Sequence, residues 1–372
     1  MDSIFKGLRI IDITKVFSGP FATRLLADYG AEVLKIENEK NFDDSRGYPP
    51  LKNGWSGYYE ILNRNKKGIH INLSDNTDRQ KLYSLCKDAD VFVENLTPST
   101  KHKLKVDYAT LKAINPRLIY ASLSGLGQQS DRKYYDVIAQ AQSGLMSLSG
   151  TPEQPLKIGP SVVDAFSGMT LAFAIASALF SRERTGLGQS IEVSMLACAM
   201  NLLENNLVEY SITKKNPTRV GNQDTAISPF GVYKAKDGYI ALAAGSNTLW
   251  QNLLIFLNKH TPVDSSLFSS NQKRLSHLDE LTTLIEHVFS LYSVDALEKM
   301  LTDLTIPCSR VNEMSDVYSD KHNYATGALL SFHHSKLGTC VIPGSAIHFS
   351  GHPKIGIKPA PTIGQHNNEY DI

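Results

Sequence analysis

Cysteine is scarce in this chain: four among 372 residues, Cys86, Cys198, Cys308 and Cys340, all far apart. No pair has zinc or redox spacing, so the four read as reduced thiols of a cytoplasmic protein. The histidines are equally scattered. His333-His334 is the sole adjacent pair, and sequence neighbours rarely ligate one metal together, so no metal site is predicted. An excess of either charge sign is lacking too. The net charge of +1 offers no broad field to nucleic acid or an anionic membrane, and neither is predicted as a partner. No charge-free apolar run reaches the roughly 18 residues that would span a bilayer, and Met169–Phe180 falls short. Residues 1–20 lack the basic start, apolar stretch and small-residue cleavage site of a secretion signal.

What is present is a hydrophobic fraction of 42%, enough for a substantial core in one or two domains. Leu8–Ile13 reads as an apolar strand. Pro20 opens an amphipathic helix that Gly30 closes, and Glu32–Ile36 is a second strand ending at Glu37. An acidic residue at that place invites a dinucleotide reading. The loop argues against it: Thr14-Lys-Val-Phe-Ser-Gly19-Pro20 has one glycine and no G-x-G-x-x-G.

The alternation continues. Strands are expected at Gly68–Leu73, Val91–Glu94 and Leu118–Leu123, and helices at Thr77–Cys86, Tyr108–Ile114 and Tyr135–Met146. The pattern predicts an α/β fold, Rossmann-like, with a mostly parallel sheet. Gly188–Val193 and a long helix over Met195–Tyr210 follow. Lys, Asn and Pro cluster at Ile212–Gly221 and mark a boundary. Beyond it, Phe230–Tyr233 and Tyr239–Ala243 flank Asp237-Gly238 as a hairpin. Helices at Leu249–Leu257, His277–Tyr292 and Ser293–Leu304 complete a smaller α+β domain. Strand-like Ala328–Phe332 and Cys340–Ile342 lead into a Pro/Gly-rich tail. The division expected is 1–215, 222–320 and a terminal segment 325–372.

Asp164 has the most informative surroundings. Upstream, Pro155-Leu-Lys-Ile-Gly-Pro160 is closed to helix by its prolines. Downstream, an apolar helical run reaches Phe180 and ends at Ser181-Arg-Glu-Arg-Thr185-Gly186, with basic residues in the last turn and a stopping glycine. One carboxylate thus stands at or just before a helix N-terminus, where backbone N–H groups and the dipole favour the ionised form. Aspartate is a favoured N-cap, and on chemistry alone capping is the commoner role. A poorly hydrated carboxylate in that place is also a usable nucleophile.

Val163-Asp164-Ala-Phe-Ser-Gly168-Met followed by Thr185-Gly-Leu-Gly-Gln-Ser190-Ile-Glu-Val-Ser-Met195 resembles the family III CoA-transferases, the formyl-CoA and carnitine CoA-transferase type. The resemblance runs through the chain in order. It includes Gly7–Asp12, Gly19-Pro20, Leu26–Glu37, Asn63–Lys67, Asp90–Asn95, Gly144–Gly150, Arg219–Asn222, Asp237–Ile240, Ile306–Val311 and Pro361–His366. It implies a Rossmann-like large domain to which the terminal segment returns, and a homodimer whose subunits interlock like rings. Asp164 is implied as the covalent nucleophile. It attacks an acyl-CoA thioester to give an aspartyl-acyl anhydride. The thiolate then attacks the Asp164 carbonyl to give an aspartyl-CoA thioester, and a carboxylic acid takes over the coenzyme. Coenzyme A is thus a substrate, with no permanently bound cofactor.

Coenzyme A presents phosphates, so its site needs cations and backbone donors. The candidate cations are Arg24, Arg46, Arg64, Lys66, Lys67, Lys101 and Lys103; a solvated turn is the plain alternative for Asn63–Lys67. The resemblance places coenzyme contacts at Val16, Phe17, Ser18, Ile71, Asn72, Leu73, Asn95, Leu96 and Lys103. Asn38 and Lys103 stand where the formyl-CoA transferases carry arginine, and lysine lacks the planar fork. The α-methylacyl-CoA racemases are also similar, but pair the aspartate with a histidine where this chain has Tyr135. With a pKa of about 10, tyrosine is a poor base at neutral pH. Tyr135 is instead expected beside the thioester, or simply packed. A third alternative is a non-catalytic acyl-CoA-binding protein, which intact Asp164 and Gly168 oppose. The stretch between Asn222 and Phe230 lacks the glycine-rich loop of the formyl-CoA transferases.

Overall fold

In a computed structural model of the chain, residues 2–353 and 355–372 are described. The chain forms two compact units: Met1–Leu145 with Ile158–Glu204 and Lys321–Ile372, and Met146–Lys157 with Asn205–Asp320.

The first unit is built on a six-stranded sheet. Its spatial order is Lys67–His70, Glu32–Glu37, Arg9–Asp12, Val91–Glu94, Ile119–Ser124, Ser190–Ser194, and every pairing is parallel. Counted along the chain, the order is third, second, first, fourth, fifth, sixth. The direction of winding reverses between Arg9–Asp12 and Val91–Glu94. A crevice opens at the carboxyl ends of two strands whose connections leave in opposite directions. The central strands are covered on both faces, which is why Ile10, Ile11, Val91, Phe92 and Val93 form nearly continuous apolar runs.

Charged side chains inside this unit are paired. Asp12 accepts from Lys66 Nζ at 2.9 Å, Thr23 Oγ1 at 2.7 Å and Thr14 Oγ1 at 2.6 Å. Burial alone would raise its carboxyl, but Lys66, Lys35 and the two threonines outweigh it and hold the group well below its ordinary range. Asp28 clamps Arg64 at 2.7 Å and Arg24 at 2.9 Å. Glu37 takes Arg46 through two nitrogens at 3.0 and 2.7 Å.

The terminal segment lies along the Lys67–His70 edge. His366 N donates to Gly68 O, and Gly68 N donates to His366 Nδ1, each at 3.0 Å. A Cβ at Gly68 would sit 2.1 Å from Thr362 O, so only glycine admits the tail. The otherwise open edge strand is thereby closed.

The second unit carries a three-stranded antiparallel sheet, Cys308–Arg310, Tyr239–Ala243, Phe230–Lys234. Its core joins Tyr233, Ile240 and Leu242 to Trp250, Leu257, Phe289, Leu297 and Leu301 from its helices. Asp237, in the hairpin turn, accepts the backbone N–H of Val294 at 2.8 Å.

Several sequence expectations change. The helix expected over Tyr135–Met146 breaks at Gly144 (φ 92°), leaving Asp136–Gln142 and Leu145–Leu148. The long helix after Met195 is two pieces, Met195–Asn201 and Asn206–Thr213, parted where Glu204 turns left-handed (φ 51°). The second piece belongs to the second unit, so the units part at 204/205, ahead of the boundary read from composition. The apolar run before Gly186 begins earlier, as a helix over Val162–Thr185. By length and composition that helix is apolar enough to cross a membrane.

Candidate active site

The site begins where the first strand ends. Asp12 Oδ1 turns the chain by accepting Thr14 N at 2.9 Å. Asn95, just past the fourth strand in chain order, receives Lys15 N at 3.0 Å and donates to Lys15 O at 2.9 Å. These bonds tie the two strand ends together across the crevice. The next residue, Val16, is left-handed at φ 72°, a strained conformation for a β-branched side chain. Its N–H is held by Asp43 Oδ1 at 3.0 Å. The Ser18–Asp28 helix follows directly.

The Val162–Thr185 helix packs on Ser18–Asp28. A Cβ at Gly168 would stand 2.6 Å from Ser18 O, so glycine is what lets the two helices approach. Their closeness brings Asp164 to Ser18, and Ser18 Oγ donates to Asp164 Oδ1.

Asp164 is the third residue of its helix, not its cap. The helix N-terminus is instead met by another carboxylate, Asp136. Its Oδ1 accepts Val163 N at 2.9 Å and Asp164 N at 3.3 Å, while its Oδ2 receives Gln140 Nε2 at 2.7 Å. Gln140 in turn accepts Ile158 N at 3.0 Å. Asp136 escaped the sequence reading because its partner is distant in the chain. Its one sequence signal was its place directly after Tyr135, the position where the similar racemases carry histidine.

A cleft of about 400 Å³ opens here. The Val16–Ser18 turn, Asn95-Leu96, Tyr135 and Asp164 all line it. Ile71, Asn72, Leu73 and Lys103 do not line it; Ile71 is buried and Lys103 exposed. A larger cavity of about 1190 Å³ lies around Trp55, Lys67, His334 and the tail and shares no lining residue with this cleft. The Asp164 cleft is preferred as the reactive site because it lies at the switch point.

The cation candidates fare differently. Arg24, Arg46, Arg64, Lys66, Lys67 and Lys101 each pair with a carboxylate. Within the Asn63–Lys67 run, Arg64 and Lys66 are buried struts rather than parts of a solvated turn. Burial pushes Lys66 down to about 8, although Asp12 beside it acts in the opposite direction. The cations that line the cleft are Lys15 and the exposed Arg132 and Lys133, none of which was among the sequence candidates.

Tyr58 was missed as well. Burial, and then the charge of Asp164, push its phenol up to about 12, which keeps it a hydrogen-bond donor. Its ring meets Phe17 edge-on at 6.0 Å and Tyr48 at 5.5 Å. Among the described residues no group of three His, Cys, Asp or Glu is placed to hold a metal ion.

A doubly wound parallel sheet with a buttressed carboxylate in a cleft at its switch point defines an α/β enzyme. Residues 5–367 match CoA-transferase family III, and the chain belongs to that family. Among its relatives, the succinyl-CoA:glutarate CoA-transferase of Mus musculus is 33% identical over 97% of this chain and 84% of its own length. The acetyl-CoA:oxalate CoA-transferase of Acetobacter aceti is 34% identical over 94% and 90%. The crystal structure of a CaiB/BaiF family protein from Brucella suis superposes with a TM-score of 0.87 at 29% identity, covering 100% of this chain and 99% of that one. The protein is thus an acyl-CoA:carboxylate CoA-transferase, with an acyl-CoA and a carboxylic acid as its substrates.

Proposed function

We propose that Asp164 is the nucleophile and that transfer proceeds through an aspartyl-acyl anhydride and an aspartyl-CoA thioester. The observation that carries this is the placement of Asp164. Its carboxylate lines the cleft, its backbone N–H is held by Asp136, and one of its oxygens is held by Ser18. A nucleophile needs such fixed orientation.

In this reading the coenzyme lies along the Val16–Ser18 turn and Asn95-Leu96. Arg132 and Lys133 supply charge to its phosphates, and Tyr135 stands beside the thioester. Ile71, Asn72, Leu73 and Lys103 rest on family resemblance alone. Short dicarboxylic acids are the acceptors we propose first. Their support is the names of the relatives, which act on glutarate and oxalate. A homodimer belongs to the same reading. Its support is the resemblance, together with Phe173 and Phe180 of the Val162–Thr185 helix, which are 72% and 68% exposed. A cytoplasmic setting is supported by four unpaired cysteines.

The test is intact-protein mass after incubation with succinyl-CoA or acetyl-CoA, then a panel of acids. Wild type gains a CoA adduct that a suitable acid discharges. Asp164→Asn is expected to bind CoA but form no adduct, and to lose transfer by at least about a thousandfold. Adduct formation in Asp164→Asn would refute the assignment. A monomeric mass by light scattering, with activity intact, would refute the dimer.

A further inference from the structure

We infer that the Ser18 hydroxyl is a catalytic group: it pins one oxygen of Asp164 and then stabilises the oxyanion that forms on that oxygen. This rests on the reading of Asp164 as the nucleophile. Ser18 is 4% exposed and opens the Ser18–Asp28 helix, and its hydroxyl donates to Asp164 Oδ1. The geometry belongs to the fold rather than to a mobile side chain. Gly168 sets the helix spacing through its approach to Ser18 O, and a Cβ at Gly19 would meet Thr14 at 2.5 Å, so the turn before Ser18 is equally constrained.

The chemistry gives the pinned oxygen a distinct role. Oδ2 of Asp164 bonds to the thioester carbon, and the CoA thiolate leaves. Oδ2 is now the bridging oxygen of the anhydride, and Oδ1 is the aspartyl carbonyl oxygen. When the thiolate adds to Cγ, the electron pair of the Cγ–Oδ1 double bond moves onto Oδ1, where the Ser18 O–H points. Collapse restores that double bond and expels the donor acid as a carboxylate carrying the former Oδ2. The acceptor carboxylate then adds to Cγ. Charge returns to Oδ1, the thiolate leaves, and a second anhydride forms. Attack of the thiolate on the acceptor's acyl carbon completes the acyl-CoA and releases Asp164, whose second oxygen now comes from the acceptor. Ser18 keeps its proton throughout. A donor aimed at developing charge is the usual source of such stabilisation.

One consequence separates this role from mere packing. Oδ1 is retained and the other oxygen is replaced each turnover. With an acceptor acid labelled with ¹⁸O in both carboxylate oxygens, and many turnovers, wild-type Asp164 should take up one labelled oxygen and no second, read by peptide mass. Ser18→Ala should lower kcat by about a hundredfold while the KM for acyl-CoA changes by less than about threefold. Loss of the Ser18 donor should let the second oxygen exchange as well, so that this variant takes up both labels. Uptake of two labels by wild type, or a Ser18→Ala kcat within about threefold of wild type, overturns the inference. The wild-type label count needs no variant to fold. If Asp164→Asn still forms the CoA adduct, the nucleophile reading itself fails. If Asp164→Asn abolishes the adduct while Ser18→Ala leaves rate and labelling unchanged, only the role of Ser18 falls.

Discussion

Asn95 embraces the main chain of Lys15, its amide oxygen taking the N–H at 3.0 Å and its amide nitrogen giving to the carbonyl at 2.9 Å. The side chain that family resemblance assigned to the coenzyme is engaged with protein. It joins the ends of two neighbouring strands and keeps Val16 in its left-handed turn. Asn95→Ala should therefore raise the KM for acyl-CoA by about tenfold and cost stability of about 1 kcal/mol for each bond. Asn95→Asp keeps the acceptor and loses the donor, and should fall between. Steady-state kinetics check this; an unchanged KM in Asn95→Ala would count against the turn as the coenzyme's seat.

Gly168→Ala probes the helix contact. The added carbon would lie 2.6 Å from a backbone oxygen of Ser18, which cannot swing aside. The helices must part, at a cost of about 1–3 kcal/mol by the usual penalty for overpacking. Activity should fall further than stability accounts for, because Ser18 and Asp164 are drawn apart. Urea unfolding beside single-turnover rates measures both.

Tyr135 in place of histidine argues for chemistry at the carbonyl carbon rather than at the carbon beside it. Incubated with a 2-methylacyl-CoA in deuterated buffer without acceptor acid, the protein should incorporate no α-deuterium. A racemase would, because its path runs through an enolate. Deuterium uptake that vanishes in Asp164→Asn would contradict this expectation.

Acid should unfold the first unit through two paired carboxylates, buried Asp12 and half-buried Glu32. Burial alone would raise both Asp12 and Glu32. Lys66 and Lys35 outweigh it at Asp12, holding that group below its ordinary 3.8. Tyr370, Arg9 and Lys67 bring Glu32 from 4.5 down to about 2. Groups depressed in the folded state contribute stability above their unfolded values and lose it as pH falls toward the folded ones. Urea midpoints should hold near neutral pH and fall once pH drops below about 4.5. Asp12→Asn, which keeps the shape and removes the charge, should lower the neutral midpoint and flatten that decline. A midpoint constant down to pH about 2 would contradict the assignment.

Much of the fold was legible because local patterns carried it. Alternating apolar strands and amphipathic helices specify a parallel sheet, since such strands are buried on both faces. The stop at Gly186, with Arg182 and Arg184 in the last turn, was readable for the same reason: a left-handed cap and dipole-matched charge are local properties. Two helix breaks escaped because left-handed Glu204 and the turn at Gly144 sit inside helix-favouring sequence.

The sequence by itself determined the order of strands along the chain, the apolar setting of Asp164 and the glycine that follows one turn later. Tertiary structure decided what those residues do. Pairing Asp12 with Lys66 and Asp28 with Arg64 turned a basic run that resembles a phosphate site into internal struts, because charges withdrawn from water need partners. Asp136 reached the Asp164 helix across 27 residues of sequence, and Ser18 reached Asp164 across 146. No local pattern encodes contacts of that span. The second exists because two helices meet where glycine alone fits, at the crevice where the sheet reverses its winding.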